Sequence, residues 1–194
     1  MKSVVINGQE RSKIGKEAAK SYRKEGLVPC VLYSKEENIQ FNATNADLKS
    51  LIYNPDFKYA DIVLGGKTHR CILKEIQWHP VTDAVVHIDF LKLVPGTSIK
   101  VELPLRLKGA AAGVKSGGKM VQRMRMIKIK TVPEHLVSEL FVDITTLDLG
   151  QTMRIRDISP EKGIEIITPA ATPIVSIEIP RALKTTEAAT PAKK

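Results

Sequence analysis

Tyr59-Ala60-Asp61-Ile62-Val63-Leu64-Gly65-Gly66-Lys67-Thr68-His69-Arg70-Cys71-Ile72-Leu73 decides the fold class. Apolar and polar residues alternate through 59–64, and a second strand pattern runs over 69–77, so two strands flank a Gly-Gly pair. A two-residue hairpin loop needs positive φ angles, which glycine adopts without steric cost, so Gly65-Gly66 reads as a tight turn. The same alternation recurs on both sides of this unit. It predicts further strands over 3–7, 28–33, 38–42 and 84–93. Joined by hairpins, short strands of this kind close into a small barrel and leave no exposed edge.

Two short helices interrupt the pattern. Lys16, Lys20 and Arg23 recur at helical spacing and share one face, with Ala18, Ala19 and Tyr22 opposite. Gly26 stops that helix through a left-handed backbone conformation, and Pro29 opens the extended run that ends at Tyr33. A second helix starts at Thr44, whose spacing to Asp47 resembles a capping box, and Asn54-Pro55 ends it. The pattern pauses at Val94-Pro95-Gly96-Thr97. A second β-rich segment follows, with strands predicted over 99–108, 124–132, 140–144, 153–155, 163–167 and 174–179.

The expected architecture is therefore mainly β. A closed N-terminal barrel with one or two short helices spans 1–93, and an all-β, sandwich-like domain spans 94–181. A disordered tail of Ala, Thr, Pro and Lys spans 182–194. The Gly-, Ala- and Lys-rich stretch 109–120 cannot pack a core of its own and is expected to be a mobile loop exposing Lys108, Lys115 and Lys119.

Composition narrows the function. A hydrophobic share of 43% fits a globular chain of 194 residues, while 30 Lys and Arg against 21 Asp and Glu leave a net charge of +9. That balance favours a polyanionic partner. No apolar run reaches the roughly 18 residues needed to span a bilayer, and the N-terminal apolar segment is too short for a signal peptide. Cys30 and Cys71 form no CxxC pattern, which argues against a zinc ribbon or a disulfide framework. A cytoplasmic protein with reduced thiols is expected. Residues 1–91 carry 13 Lys and Arg against 11 Asp and Glu, yet six of those cations lie between Arg11 and Lys24. A second concentration, Arg123, Arg125, Lys128 and Lys130, sits in the C-terminal half. A strand through it would put Arg123 and Arg125 on one face, with a bulge or bend where the alternation changes phase at Met126-Ile127.

The basic segment Arg11, Lys13, Lys16, Lys20, Arg23 and Lys24 reads either as a solvated helix face, partly neutralised by Glu17 and Glu25, or as a phosphate-binding surface. Tyr33 favours the second reading, because an aromatic beside such cations can pack on a ribose or stack on a base. Its alternative is a strand-end tyrosine covering the barrel mouth. In His87-Ile88-Asp89-Phe90, a strand sends His87 and Asp89 to one face and Ile88 and Phe90 to the core. The pair suits RNA, where Asp89 accepts from a guanine edge or holds a cation in place and His87 donates to phosphate or stacks. It also suits half of a hydrolytic triad, but no serine or cysteine sits in a nucleophile-elbow context. His69, His79, His87 and Asp89 lack metal-ligand spacing. Gly113 to Lys119 lacks the GxxxxGK[ST] spacing of a nucleotide loop. In Gln77-Trp78-His79-Pro80 the tryptophan reads as a structural anchor.

Two separated motifs coincide: Arg11…Gly15-Lys16…Arg23…Gly26…Pro29…Val31-Leu32-Tyr33, and Gln77-Trp78-His79-Pro80…His87-Ile88-Asp89-Phe90. Together they resemble bacterial large-subunit ribosomal proteins of the L-twenty-five family, in the long form also called general stress protein CTC. Gly113-Val114-Lys115, Gly117-Gly118, Val132-Pro133, Val142-Asp143-Ile144, Leu149-Gly150 and Asp157-Ile158 extend the resemblance to about Pro180. It implies a non-enzymatic ribosomal constituent whose N-terminal barrel grips an internal loop of 5S rRNA, with an attached C-terminal β domain. The implied RNA contacts are Arg11, Lys16, Lys20, Arg23, Tyr33, His87 and Asp89. The implied partners are 5S rRNA, the large subunit and neighbouring ribosomal proteins, with no membrane, metal, cofactor or small-molecule substrate. The family often has Ser-Arg-Arg where this chain has Ala19-Lys20-Ser21, so Lys20 supplies charge without paired guanidinium donors. Arg123, Arg125, Lys128 and Lys130 are a candidate second patch. A stress-related interaction protein, with a basic C-terminal domain that binds protein or lipid, is the alternative function.

Overall fold

The computed structural model describes residues 2–34, 38–159 and 163–180. The chain divides into two compact units, one holding residues up to Ser98 with Val132–Glu134, the other Ile99–Thr131 and the residues from His135 on. The tail expected over 182–194 lies outside the described residues.

The first unit comprises β1 (Ser3–Glu10), α1 (Lys16–Lys24), β2 (Leu27–Tyr33), β3 (Asn38–Thr44), α2 (Asn45–Ile52), β4 (Tyr59–Leu64), β5 (Lys67–Trp78) and β6 (Val85–Lys92). The six strands form a closed barrel in the order β1-β3-β2-β6-β5-β4. Hairpins do not make every joint: β1 with β4 and β2 with β6 run parallel. β1 closes the ring by pairing with β4 through residues 3–7 and with β3 through residues 8–10. Gly8 stands at that transfer, where a Cβ would lie 2.6 Å from Leu64 Cδ2 and 2.7 Å from Phe41 Cδ2. The β4–β5 turn is as the sequence predicts, with φ of 53° at Gly65 and 79° at Gly66.

Alternation turns Ile6, Leu32, Phe41, Ile62, Ile88 and Phe90 inward, all fully buried. Phe41 and Phe90 lie 5.9 Å apart between ring centres. Thr44 Oγ1 accepts a hydrogen bond from the Asp47 amide at 3.3 Å, one half of the expected box, and Leu48 and Leu51 bury the inner face of α2. Gly26, at φ 79°, follows α1 as expected.

Cys30 and Cys71 belong to this core, and burial pushes each thiol up to about 12, with the field of Asp89 adding to the effect at Cys30. A thiol that is neither ionised nor accessible does not react. In the folded protein at about pH 8, both cysteines are therefore expected to resist iodoacetamide and to be alkylated promptly in urea. Rapid labelling without denaturant would contradict the barrel packing.

The second unit comprises β7 (Ile99–Lys108), α3 (Ala112–Lys115), β8 (Lys119–Gln122), β9 (Met126–Thr131), β10 (Leu140–Asp143), β11 (Thr152–Arg154), β12 (Ile164–Ile166) and β13 (Pro173–Glu178), with 3-10 turns at Pro133–His135 and Ile155–Asp157. It holds two sheets, ordered β10-β7-β9-β12 and β11-β13-β8. Two expectations fail here. The stretch 109–120 is not a mobile loop: it contains α3 and the start of β8, and Ala111 and Gly113 are buried. Nor do Arg123 and Arg125 share a strand face. They fall in the break between β8 and β9, where the chain passes from one sheet to the other.

Candidate nucleic-acid interface

The outer face of the barrel is assembled by register. β2 and β6 pair in parallel with Cys30 beside Ile88, Val31 beside Asp89, Leu32 beside Phe90 and Tyr33 beside Leu91. Cys30, Leu32, Ile88 and Phe90 point inward, so Val31, Tyr33, His87 and Asp89 point outward. On the other side of β6, β5 places Gln77 opposite His87 and Glu75 opposite Asp89. Residues more than fifty positions apart in sequence thus share one surface.

His87 Nδ1 lies 2.9 Å from Asp89 Oδ1, and the two side chains are 22% and 19% exposed. The contact has the distance of an ion pair but not the geometry of a hydrogen bond. Among the described residues, Asp89 Oδ1 is a shielded acceptor without a donor. Catalysis gains nothing from this pair. The nearest thiol, Cys30, points into the core from the neighbouring strand with its proton held to about 12, so it cannot serve as nucleophile.

Gly15 precedes the first turn of α1, Glu17 lies in that turn, and Arg23 and Lys24 lie in the last, which suits the helix dipole. Ala18, Ala19 and Tyr22 are half-buried and α1 packs on β2, as the helical spacing predicts, while Lys16, Lys20 and Arg23 are exposed. Lys16 and Lys20 stand about 6 Å apart along the axis. Arg23 also braces the fold, since its Nε donates to the Val86 carbonyl at 3.0 Å and ties α1 to β6.

Arg11 follows β1. Its amide donates to the Gln40 carbonyl at 3.1 Å, and its guanidinium stands 5.4 Å from the centre of the Tyr22 ring. Its Nε is buried without a hydrogen-bond partner among the described residues. Arg11 thus rests against Tyr22 of α1, α1 packs on β2, and β2 runs beside Asp89 on β6. Arg11 and Asp89 each bring shielded, unmatched hydrogen-bonding capacity. An incoming ligand with both acceptors and donors, such as RNA, can supply what is missing.

Sequence patterning does not single out Lys74 or Glu75. Their signal is the slip in alternation at Leu73-Lys74-Glu75-Ile76, where β5 carries an irregularity in its pairing with β6. Lys74 Nζ comes to 5.9 Å from the centre of the Tyr33 ring. Trp78 meets Tyr53 edge-on at 6.0 Å and remains partly exposed, and His79 Nδ1 accepts from the amides of Val81 and Thr82 to hold the turn at Pro80.

The candidate second patch has a different character. Arg123 pairs with Glu178 at 3.1 Å, Lys128 with Glu102 at 3.2 Å and Lys130 with Glu165 at 3.1 Å. Three of its four cations therefore face a carboxylate, and Lys128 and Lys130 do so across neighbouring strands. Charge density in the sequence overstates the free charge here, and the arrangement lends no support to a second polyanion contact.

Comparison with known proteins covers both units. Residues 6–90 match the ribosomal L25p family, and residues 98–181 match the family described as ribosomal protein TL5, C-terminal domain. The large ribosomal subunit protein bL25 of Phocaeicola vulgatus is 38% identical over 191 residues, covering 95% of this chain and 96% of that one. The bL25 protein of Bacteroides thetaiotaomicron is 38% identical over 194 residues, covering 97% and 98%. That of Azobacteroides pseudotrichonymphae is 36% identical over 187 residues, covering 96% and 98%.

Proposed function

The chain belongs to the ribosomal L25p family, and from that premise we propose that it binds 5S rRNA through the outer face of its barrel as a structural part of the large ribosomal subunit. The family is not one of enzymes. The observation that carries the RNA reading is the shared outer face of Tyr33, His87 and Asp89 on β2 and β6, with α1, its exposed cations and Arg11 against its Tyr22, packed on β2.

The residues divide the work. Arg11, Lys16, Lys20 and the free donors of Arg23 neutralise phosphates and release condensed counterions. Tyr33, His87 and Asp89 read the shape and exposed base edges of a non-canonical internal loop. Such a loop is required because the A-form major groove is too narrow for side chains to reach its bases.

A gel-shift titration with purified 5S rRNA and a loop-scrambled control, at two salt concentrations, tests the proposal. Binding is expected to favour 5S rRNA and to weaken steeply with salt. The Lys16→Ala and Lys20→Ala variants are expected to bind less tightly and to flatten the salt dependence by about 0.7–0.9 in log–log slope per cation. Equal affinity for the two RNAs would remove the specific reading. A variant slope equal to that of the parent would remove α1 from the interface.

A further inference from the structure

β5 carries two cations against aromatic rings, and a described carboxylate closes one of those pairs. Arg70 stands 5.7 Å from the Tyr59 ring centre, and Asp61 neutralises it at 2.9 Å. That hydrogen bond holds the Asp61 carboxyl below the ordinary value of 3.8. Cation, ring and carboxylate satisfy one another, as a purely structural cluster does. Lys74 sits four positions further on, 5.9 Å from the Tyr33 ring centre. No carboxylate pairs with it among the described residues.

Register explains how Lys74 gets there. Leu73 pairs with Phe90 and Glu75 with Asp89, so Lys74 is the extra residue of a β-bulge. A bulge breaks the strict in–out alternation and re-aims a side chain. Here the stem reaches across β6, whose neighbours in the barrel are β5 and β2, to the ring of Tyr33 on β2. A free lysine stem has many rotamers and gives up much of that freedom on binding. An ammonium already resting against a ring has given up part of it in advance. The ammonium is a compact point charge with no planar fork, so it matches a phosphate better than a base edge.

Resting on the rRNA reading above, we infer that Lys74 is a further RNA contact that acts as a unit with Tyr33. The ring holds the ammonium against the phosphate of the nucleotide that packs on Tyr33. The cation therefore fixes the position of the nucleotide beside Asp89 and His87, and adds no base preference of its own.

Filter binding of the full chain to 5S rRNA and to the loop-scrambled control, across a salt series, tests this inference. Lys74→Gln is expected to weaken 5S rRNA binding about fivefold near physiological salt and to lower the slope by about 0.7–0.9, the loss of one phosphate contact. In a Tyr33→Leu background the same substitution should cost less than about twofold, because contacting residues are not additive. Lys67→Gln, an exposed cation at the start of the same strand, is the control for net charge and should change little. A Lys74→Gln effect no larger than that of Lys67→Gln, or fully additive with Tyr33→Leu, overturns the inference. If the unmutated chain shows no preference for 5S rRNA, the underlying reading fails and takes this inference with it.

Discussion

Asp89→Ala is expected to cost the protein its preference for 5S rRNA while leaving its grip on unspecific RNA intact or slightly improved. The two effects have opposite sign because a carboxylate on a phosphate-binding wall acts in two ways. Against a bare phosphate it repels, so its removal helps any RNA to bind. Against a base edge with donors it accepts hydrogen bonds, and one such recognition is worth about 1–3 kcal/mol of discrimination. Asp89 is poised for the second role. It faces outward from β6 between Val31 and Glu75, and its Oδ1 is shielded without a donor among the described residues.

Affinity for 5S rRNA should therefore fall on the order of tenfold to a hundredfold, with scrambled-loop RNA bound as before or somewhat better. Thermal stability should change little: Asp89 Oδ1 has no hydrogen-bond donor among the described residues, and what the substitution gives up is the 2.9 Å contact with His87. Asp89→Asn, which keeps an acceptor and loses the charge, should lie between the two. Tighter binding of both RNAs by Asp89→Ala would mean that the carboxylate only repels, and its assignment to base recognition would be wrong.

The same wall marks where sequence stops being informative. Each side chain of the site has a legible type and a legible face. Helical spacing puts Lys16, Lys20 and Arg23 together, and strand alternation puts His87 and Asp89 outside while Ile88 and Phe90 go in. The hairpin at Gly65-Gly66 is equally legible, because two adjacent positive φ angles have a local chemical signature. The parallel joints β1–β4 and β2–β6 have none, since they depend on which distant strands meet. Lys74 is hidden for a related reason: that its stem reaches the ring of Tyr33 depends on β5, β6 and β2 standing side by side, which no local pattern records. In the second unit the pattern misleads outright. Arg123-Met124-Arg125-Met126 alternates like a strand, yet the chain is changing sheets there. The cross-strand partners Glu102 and Glu165, which neutralise Lys128 and Lys130, become visible only once register is known.

The stretch 109–120 misleads because small residues have two opposite meanings, freedom and close approach. Gly113 separates them. Helix propensity alone predicts that Gly113→Ala in α3 should stabilise by up to about 1 kcal/mol, and φ there is not in the left-handed region. Packing predicts the reverse. A Cβ on Gly113 would lie 2.6 Å from the Asp148 carbonyl carbon and the Leu149 nitrogen, and 3.0 Å from the Asp148 oxygen, all of them main chain. The neighbouring hydrogen bonds, from the Gly113 amide to the Leu147 carbonyl at 2.9 Å and from the Gly118 amide to the Gly113 carbonyl at 2.8 Å, resist a shift on either side. Relief therefore requires moving backbone, and overpacking of that kind costs about 1–3 kcal/mol. The upper end is expected here because no flexible side chain can yield. Denaturant titration should show Gly113→Ala as less stable by about 2–3 kcal/mol. Lys115→Ala, on the exposed side of α3, should stay within about 0.5 kcal/mol of the parent. Amide exchange should locate the loss in strands of the second unit, with the barrel amides keeping their protection. A Gly113→Ala protein as stable as the parent, or more so, would mean that the segment yields freely and that its glycines mark flexibility after all.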